Sequence, residues 1–190
     1  MCSESTLPVD AGSFRDRDGR IYRCGERVLR GISAAALDDF EKLQATRFFK
    51  RFTEAGKLVK TRPTAADDVP LPEEVKAQWA VFLEHESIPV ISYAYEWSFS
   101  MLQDAAVLTL DLLEAALDED MTLKDATPYN VQFVDGKPVF IDIPSFETLQ
   151  PGSTWSGYRQ FCEMFLFPLM LQAYKGIDIQ PMMRSRLDGV

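Results

Sequence analysis

The chain has a single histidine, His85, and three cysteines, Cys2, Cys24 and Cys162, with no Cys-x-x-Cys pair. Multi-histidine and cysteine-cluster metal centres are therefore excluded. An odd number of widely spaced cysteines also argues against a disulfide framework, so the thiols are expected to be reduced, with Cys162 in the core. His85, in the polar stretch Leu83 to Pro89, reads as a surface or loop residue. Long apolar runs are missing too. The most hydrophobic stretches are broken by Gln103-Asp104, Asp111, Glu163 and Pro168, so no membrane span is expected. Met1 to Gly12 is polar and lacks the apolar core of a signal peptide. Basic residues are scarce, 20 against 29 acidic, for a net charge of −9. That disfavours nucleic-acid binding, which runs on phosphate neutralisation. No internal repeat or low-complexity tract is present. These absences describe a cytoplasmic protein, and 190 residues at 46% hydrophobic content suffice for the core of one domain or two small lobes.

What is present concentrates in LKDATPYNVQFVDGKPVFIDIPSFE, from Leu123 to Glu147. Val131–Val134 and Lys137–Ile141 are apolar or β-branched runs flanking Asp135-Gly136, a strong signal for a type I′ hairpin turn. That turn sets Val134 opposite Lys137, Val131 opposite Phe140 and Asn130 opposite Ile141. Asn130 and Asp142 then share the open end of the hairpin. Strand alternation would send their side chains to opposite faces, so the ladder must break at about Ile141, which Pro144 favours. Pro128 makes Asp125 to Tyr129 a loop. Asp125, Asn130 and Asp142 thus converge on one mouth. Magnesium-dependent phosphoryl transfer needs these parts: a carboxylate to orient the nucleophile, and an amide and a carboxylate to hold metal against phosphate oxygens. The competing reading is that the Asp and Asn side chains satisfy backbone groups near turns. An aspartate flanked by Phe140, Ile141 and Ile143 is nonetheless costly to bury without a partner.

Elsewhere, Met1 to Ser13 reads as a flexible tail, and Phe14 to Ile32 as short strands turning at Asp18-Gly19. Ser33 caps a helix expected to run to about Ala55, with Leu37, Phe40, Leu43, Phe48 and Phe52 on its apolar side and Gly56 as its stop. Thr61 to Glu74, with Pro63, Pro70 and Pro72, reads as loop. Trp79–Phe82 and Ile88–Tyr93 read as strands. Ser98 opens a helix to about Leu117 that is apolar nearly all round and so buried on both sides. A last helix spans about Trp155 to Tyr174, interrupted near Pro168. The order is α+β: a small sheet with a helix over residues 14–95, then a helical region over 96–190. The aromatic cluster Tyr93, Tyr95, Trp97 and Phe99 either flanks a planar ligand or packs between the two lobes.

The segment from Asp125 to Asp142 resembles the catalytic loop, hairpin and metal-binding aspartate of the protein-kinase-like superfamily, nearest to aminoglycoside and choline phosphotransferases. The resemblance implies a two-lobe fold, truncated at its C-terminal end. It also implies Mg2+ and ATP as cofactors, Asp125 as catalytic base, and Asn130 and Asp142 as metal ligands. The sequence departs from that pattern at Leu123-Lys124, Thr127 and Ile143-Pro144. No lysine lies in the early strands. Arg23 or Arg30 would take its place as phosphate anchor, with Glu41 on the first helix as partner; otherwise these arginines are strand residues in surface ion pairs and Glu41 is solvated. Over nearly its whole length, through YAYEWSFSMLQDAAVLTLDLLEAAL, MTLKDATPYNVQF, PVFIDIPSFE and YRQFCEMFLFPLMLQAY, the chain is similar to the leading region of bacterial class I SAM-dependent methyltransferases. Rhizobial nodulation-type proteins belong to that group. No Gly-rich SAM loop follows a strand here, so SAM is not expected to bind this chain alone. The resemblance implies a kinase-like Mg-nucleotide module acting on a small-molecule or glycan-related substrate. The alternative is an inactive pseudokinase-like scaffold for a methyltransferase domain in cis or in trans.

Overall fold

The computed structural model describes Val9, residues 18–185 and Gly189. Its first layer is a four-stranded antiparallel sheet in the order β1-β2-β4-β3, made of β1 (Gly19–Cys24), β2 (Arg27–Ile32), β3 (Thr61–Thr64) and β4 (Val81–His85). The first hairpin turns at Gly25-Glu26, where Gly25 has φ +64°. The turn expected at Asp18-Gly19 is not there, because Gly19 already pairs with Ile32. Val9 bridges Tyr22, and the rest of the expected tail lies outside the described residues.

Register decides which side chains face which way. Ile21, Arg30, Leu83 and Pro63 form one cross-strand row, and Arg23, Val28, His85 and Thr61 form another on the same face. The row between them, Tyr22, Leu29, Glu84 and Arg62, points to the other face. There Tyr22, Leu29 and Phe82 form a small outer core with Val69, Leu71 and Val75. Trp79 closes it, lying so near β2 that a Cβ on Gly31 would fall 2.4 Å from the indole.

Between β2 and β3 the chain is helical, but not as one helix. α1 (Ala34–Ala45) starts at the Ser33 cap and α2 (Arg47–Glu54) restarts at Thr46, whose extended backbone and hydroxyl cap the second helix. Gly56, at φ +70°, ends it as expected. Thr61–Thr64 is a strand rather than loop, since an edge strand tolerates Pro63. α3 (Glu73–Lys76) is a single turn. The strand expected at Trp79–Phe82 begins two residues later, and Ile88–Tyr93 forms none.

The second layer is built on α4 (Phe99–Leu117), capped by Ser98 and buried over most of its circumference. β5 (Met121–Leu123) pairs with β8 (Phe146–Thr148), and between them lies the hairpin of β6 (Val131–Val134) and β7 (Lys137–Phe140). Asp135 and Gly136 have φ +51° and +74°, the I′ turn, and the register is the one the turn dictates. α5 (Tyr158–Phe161), a π-helical turn Cys162–Leu166 and α6 (Phe167–Lys175) run on without a break. The expected interruption near Pro168 is that wider turn, which accommodates the proline's missing donor. α7 (Gln180–Ser185) follows. One core reaches from Ile32 and Leu83 of the sheet through Phe48, Leu112 and Phe140 to Phe165 and Met183. The result is an α+β fold of small antiparallel sheets and helices.

Candidate functional site

The inner face of the sheet looks onto the end of the β6–β7 hairpin. The ladder stops at Phe140, Ile141 N–H donates to the Asn130 carbonyl at 2.8 Å, and Asp142 leaves strand geometry at φ −96°, ψ 75°. That break turns Asp142 towards β2. Arg30 Nη1 donates to Asp142 Oδ1, and the Ser145 hydroxyl donates to Oδ2. Asn130 Nδ2 donates to the same hydroxyl at 3.3 Å and to the Asp125 carbonyl oxygen at 3.3 Å. Arg30, Asp142, Ser145, Asn130 and Asp125 are therefore one connected network, drawn from the sheet, the hairpin and the loop before it.

The loop carrying Asp125 is fixed from several sides. Ala126 N–H donates to Gln160 Oε1 at 3.1 Å, Trp155 Nε1 to the Leu123 carbonyl at 2.8 Å, and Lys124 N–H to the Ser145 carbonyl at 2.8 Å. Gly157 permits the approach, since a Cβ there would lie 2.9 Å from Ala126. The Asp125 Oδ1 atom is buried with no hydrogen-bond partner among the described residues. Burial, helped by the charge of Asp142, pushes this carboxyl above the ordinary aspartate range, and the nearby amides of Asn130 and Gln160 pull only partly against it. At Asp142 burial works in the same upward direction, but Arg30, with Ser145 and His85, outweighs it and holds the carboxyl below its usual range. The two carboxylates are thus driven apart, one towards the neutral form and one towards the charged form.

Of the residues singled out in the sequence, Asp125, Asn130, Asp142 and Arg30 come together. Arg23 shares the inner face of the sheet but sits exposed on the edge strand. Glu41 is exposed on α1, and the partner that Arg30 takes is Asp142 instead. The cause is register: Arg30 points from β2 towards the hairpin, while α1 turns Phe40 and Leu43 into the core and Glu41 away from it. His85 is not a surface residue. It is buried on β4 beside Arg30, its Nδ1 2.8 Å from Thr61 Oγ1, and burial followed by the Arg30 charge lowers its pKa to about 4. Ser145, Gln160 and His85 carried no sequence signal, except that a serine three residues after a buried aspartate is within reach of its carboxylate. Cys24 and Cys162 are buried thiols. In the linker, Trp97 is buried against Phe133 and the tyrosines at 93 and 95 stack on each other. A surface hollow of about 630 Å³ is lined by Tyr95, Gln180 and Arg184 and by none of Arg30, Asp125, Asn130 and Asp142.

No protein-family model matches the chain. It is 38% identical over 181 residues to the nodulation protein NoeA of Rhizobium meliloti (strain 1021). The similarity takes in 95% of this chain but 37% of NoeA, so the chain spans little more than a third of that relative. The name of NoeA speaks of nodulation and of neither nucleotide nor methyl chemistry.

Proposed function

We propose that the chain is a kinase-like module that takes a nucleotide with magnesium between its sheet and its hairpin. The observation that carries this reading is the meeting of Arg30 and Asp142, 112 residues apart, at the mouth shared by Asn130 and Asp125. The donor chemistry suits the ion: the Asp142 carboxylate and the Asn130 amide oxygen are hard oxygen ligands. Bound there, magnesium would neutralise charge on phosphate oxygens. Arg30 supplies the phosphate anchor from the sheet. Asp125 accepts the proton of an acceptor hydroxyl, and its raised pKa makes it a stronger base than an ordinary aspartate. The acceptor is a small molecule or a glycan-related hydroxyl, and the setting is cytoplasmic.

One observation favours a second reading. Both oxygens of Asp142 are already held by the chain's own groups, Arg30 and Ser145. A site closed in this way fits an inactive scaffold that positions the further part of a NoeA-like protein, such as a methyltransferase domain. Calorimetric titration of ATP with magnesium, and with EDTA, into the wild type and Asp142→Ala decides between them. Metal-dependent heat that disappears in the variant supports the nucleotide module. No heat at millimolar ATP, with both proteins folded, leaves the scaffold.

A further inference from the structure

We propose that the apolar outer face of α6 is a docking surface for a further part of a longer protein, the part that NoeA carries outside its similarity to this chain. The inference goes beyond both readings above, since it holds whether or not the hairpin end takes a nucleotide.

The helical run before α6 turns Phe161 and Phe165 into the main core. From there on the apolar residues face outwards. Leu166, Phe167, Met170, Tyr174 and Ile177 are all exposed, Tyr174 at 76%. Steps of three to four residues set them along one side of the helix. From Leu166 to Ile177 the only exposed charged residue is Lys175. The face does not fray at its end: Gly176, at φ +64°, stops the helix, and Ile177 N–H returns to the Leu171 carbonyl at 3.5 Å. α4 shows the ordinary alternative, because its exposed Val107, Leu110 and Leu117 share their stripe with exposed Gln103 and Glu114. Single exposed apolar side chains are common on proteins, but an uninterrupted face rich in aromatics and methionine marks a contact surface.

Length and charge choose the occupant. The similarity takes in 95% of this chain, α6 with it, but 37% of NoeA, so most of NoeA lies outside it. A part joined to α6 through the same backbone meets it at high effective concentration, so one helix face suffices to hold it. A second copy fits less well. Each chain carries a net charge of −9, and the face has no pattern of acids and bases to offset the repulsion. An anionic membrane surface is opposed by the same charge.

The test uses intact NoeA carrying photoreactive benzoylphenylalanine at the position aligned with Tyr174, illuminated and then digested for mass spectrometry. Crosslinks within one chain, to peptides outside the similarity, are expected. Their yield should be at least about tenfold above that from the position aligned with Lys50, which is exposed on α2. The position aligned with Met170 serves if the first variant does not fold. Crosslinks between two NoeA chains would give the face to a second copy and overturn the proposal. Crosslinks confined to the matched third, or a yield below that margin, overturn it as well, since the face would then be bare in the longer protein. In the present chain by itself the face is open. Met170→Glu combined with Tyr174→Glu should therefore lower the binding of an apolar fluorescent dye at least about twofold while leaving the urea midpoint unchanged. Unchanged dye binding by the folded variant would show the face already covered, which again overturns the proposal.

Discussion

His85 carries a cost that depends on pH. Folding buries it neutral beside Arg30, Asp142 and Thr61, and its pKa falls from 6.5 to about 4. Between those values the unfolded chain binds a proton that the folded chain does not, so stability rises with pH and is lost on acidification. The full effect is about 3 kcal/mol, from about 1.36 kcal/mol per pH unit. Asp125 acts in the opposite sense, because folding favours its neutral form and its contribution is lost as pH rises. Comparing His85→Gln with the wild type cancels that term. Urea denaturation at a series of pH values should show a shallower slope for the variant between pH 6.5 and 4; an unchanged slope would mean that His85 titrates freely in the folded protein. At this scale Asp125, Asn130 and Asp142 were legible because all three lie around one turn, where local geometry settles their positions. Arg30 could be named as a cation on a strand, but its partner could not. That choice depends on a register and a ladder break 112 residues apart.

Elements were legible wherever a local signal fixed both of their ends. Ser98 and the apolar run after it define α4, and Asp135-Gly136 defines the β6–β7 hairpin. The division of α1 from α2 was hidden because apolar spacing continues across it, from Leu43 to Phe48, while the break depends on one backbone angle at Thr46. β3 was hidden by Pro63, which is read as a breaker until the strand is known to lie at an edge. β5 and β8 are three residues each, too short for alternation to show. Gly31 illustrates a packing demand that no pattern reveals. Its missing side chain is what lets Trp79 lie on the sheet and donate from Nε1 to the Tyr22 hydroxyl at 2.9 Å. Gly31→Ala should cost about 1–3 kcal/mol by overpacking. The loss should show as a lower urea midpoint, partly restored by Trp79→Leu, which removes the ring. No loss in Gly31→Ala would mean that Trp79 does not rest on β2.

For the whole molecule, the question is whether the sheet and the helical layer are separable. The main core includes Ile32 and Leu83 from one and Leu112, Phe140 and Phe165 from the other. The Val59 N–H donates to the Phe140 carbonyl at 2.9 Å, and the Gln132 amide holds both backbone groups of Ser92. A core shared in this way predicts one cooperative transition. Tryptophan fluorescence, which reports Trp79 in the outer core and Trp97 in the main one, should unfold together with far-UV circular dichroism. Two separated midpoints would show that the layers melt independently. The α+β class could be read from the order of elements, whereas this interlocking could not, because it is made by contacts between distant segments. The ion pair between Arg30 and Asp142 has a consequence for how such a protein changes over generations. Losing Arg30 alone removes the guanidinium that the Asp142 carboxylate faces, whereas losing both together removes that penalty. The two positions should therefore drift as one inherited unit: related chains lacking the arginine should also lack the aspartate, or carry another cation within its reach.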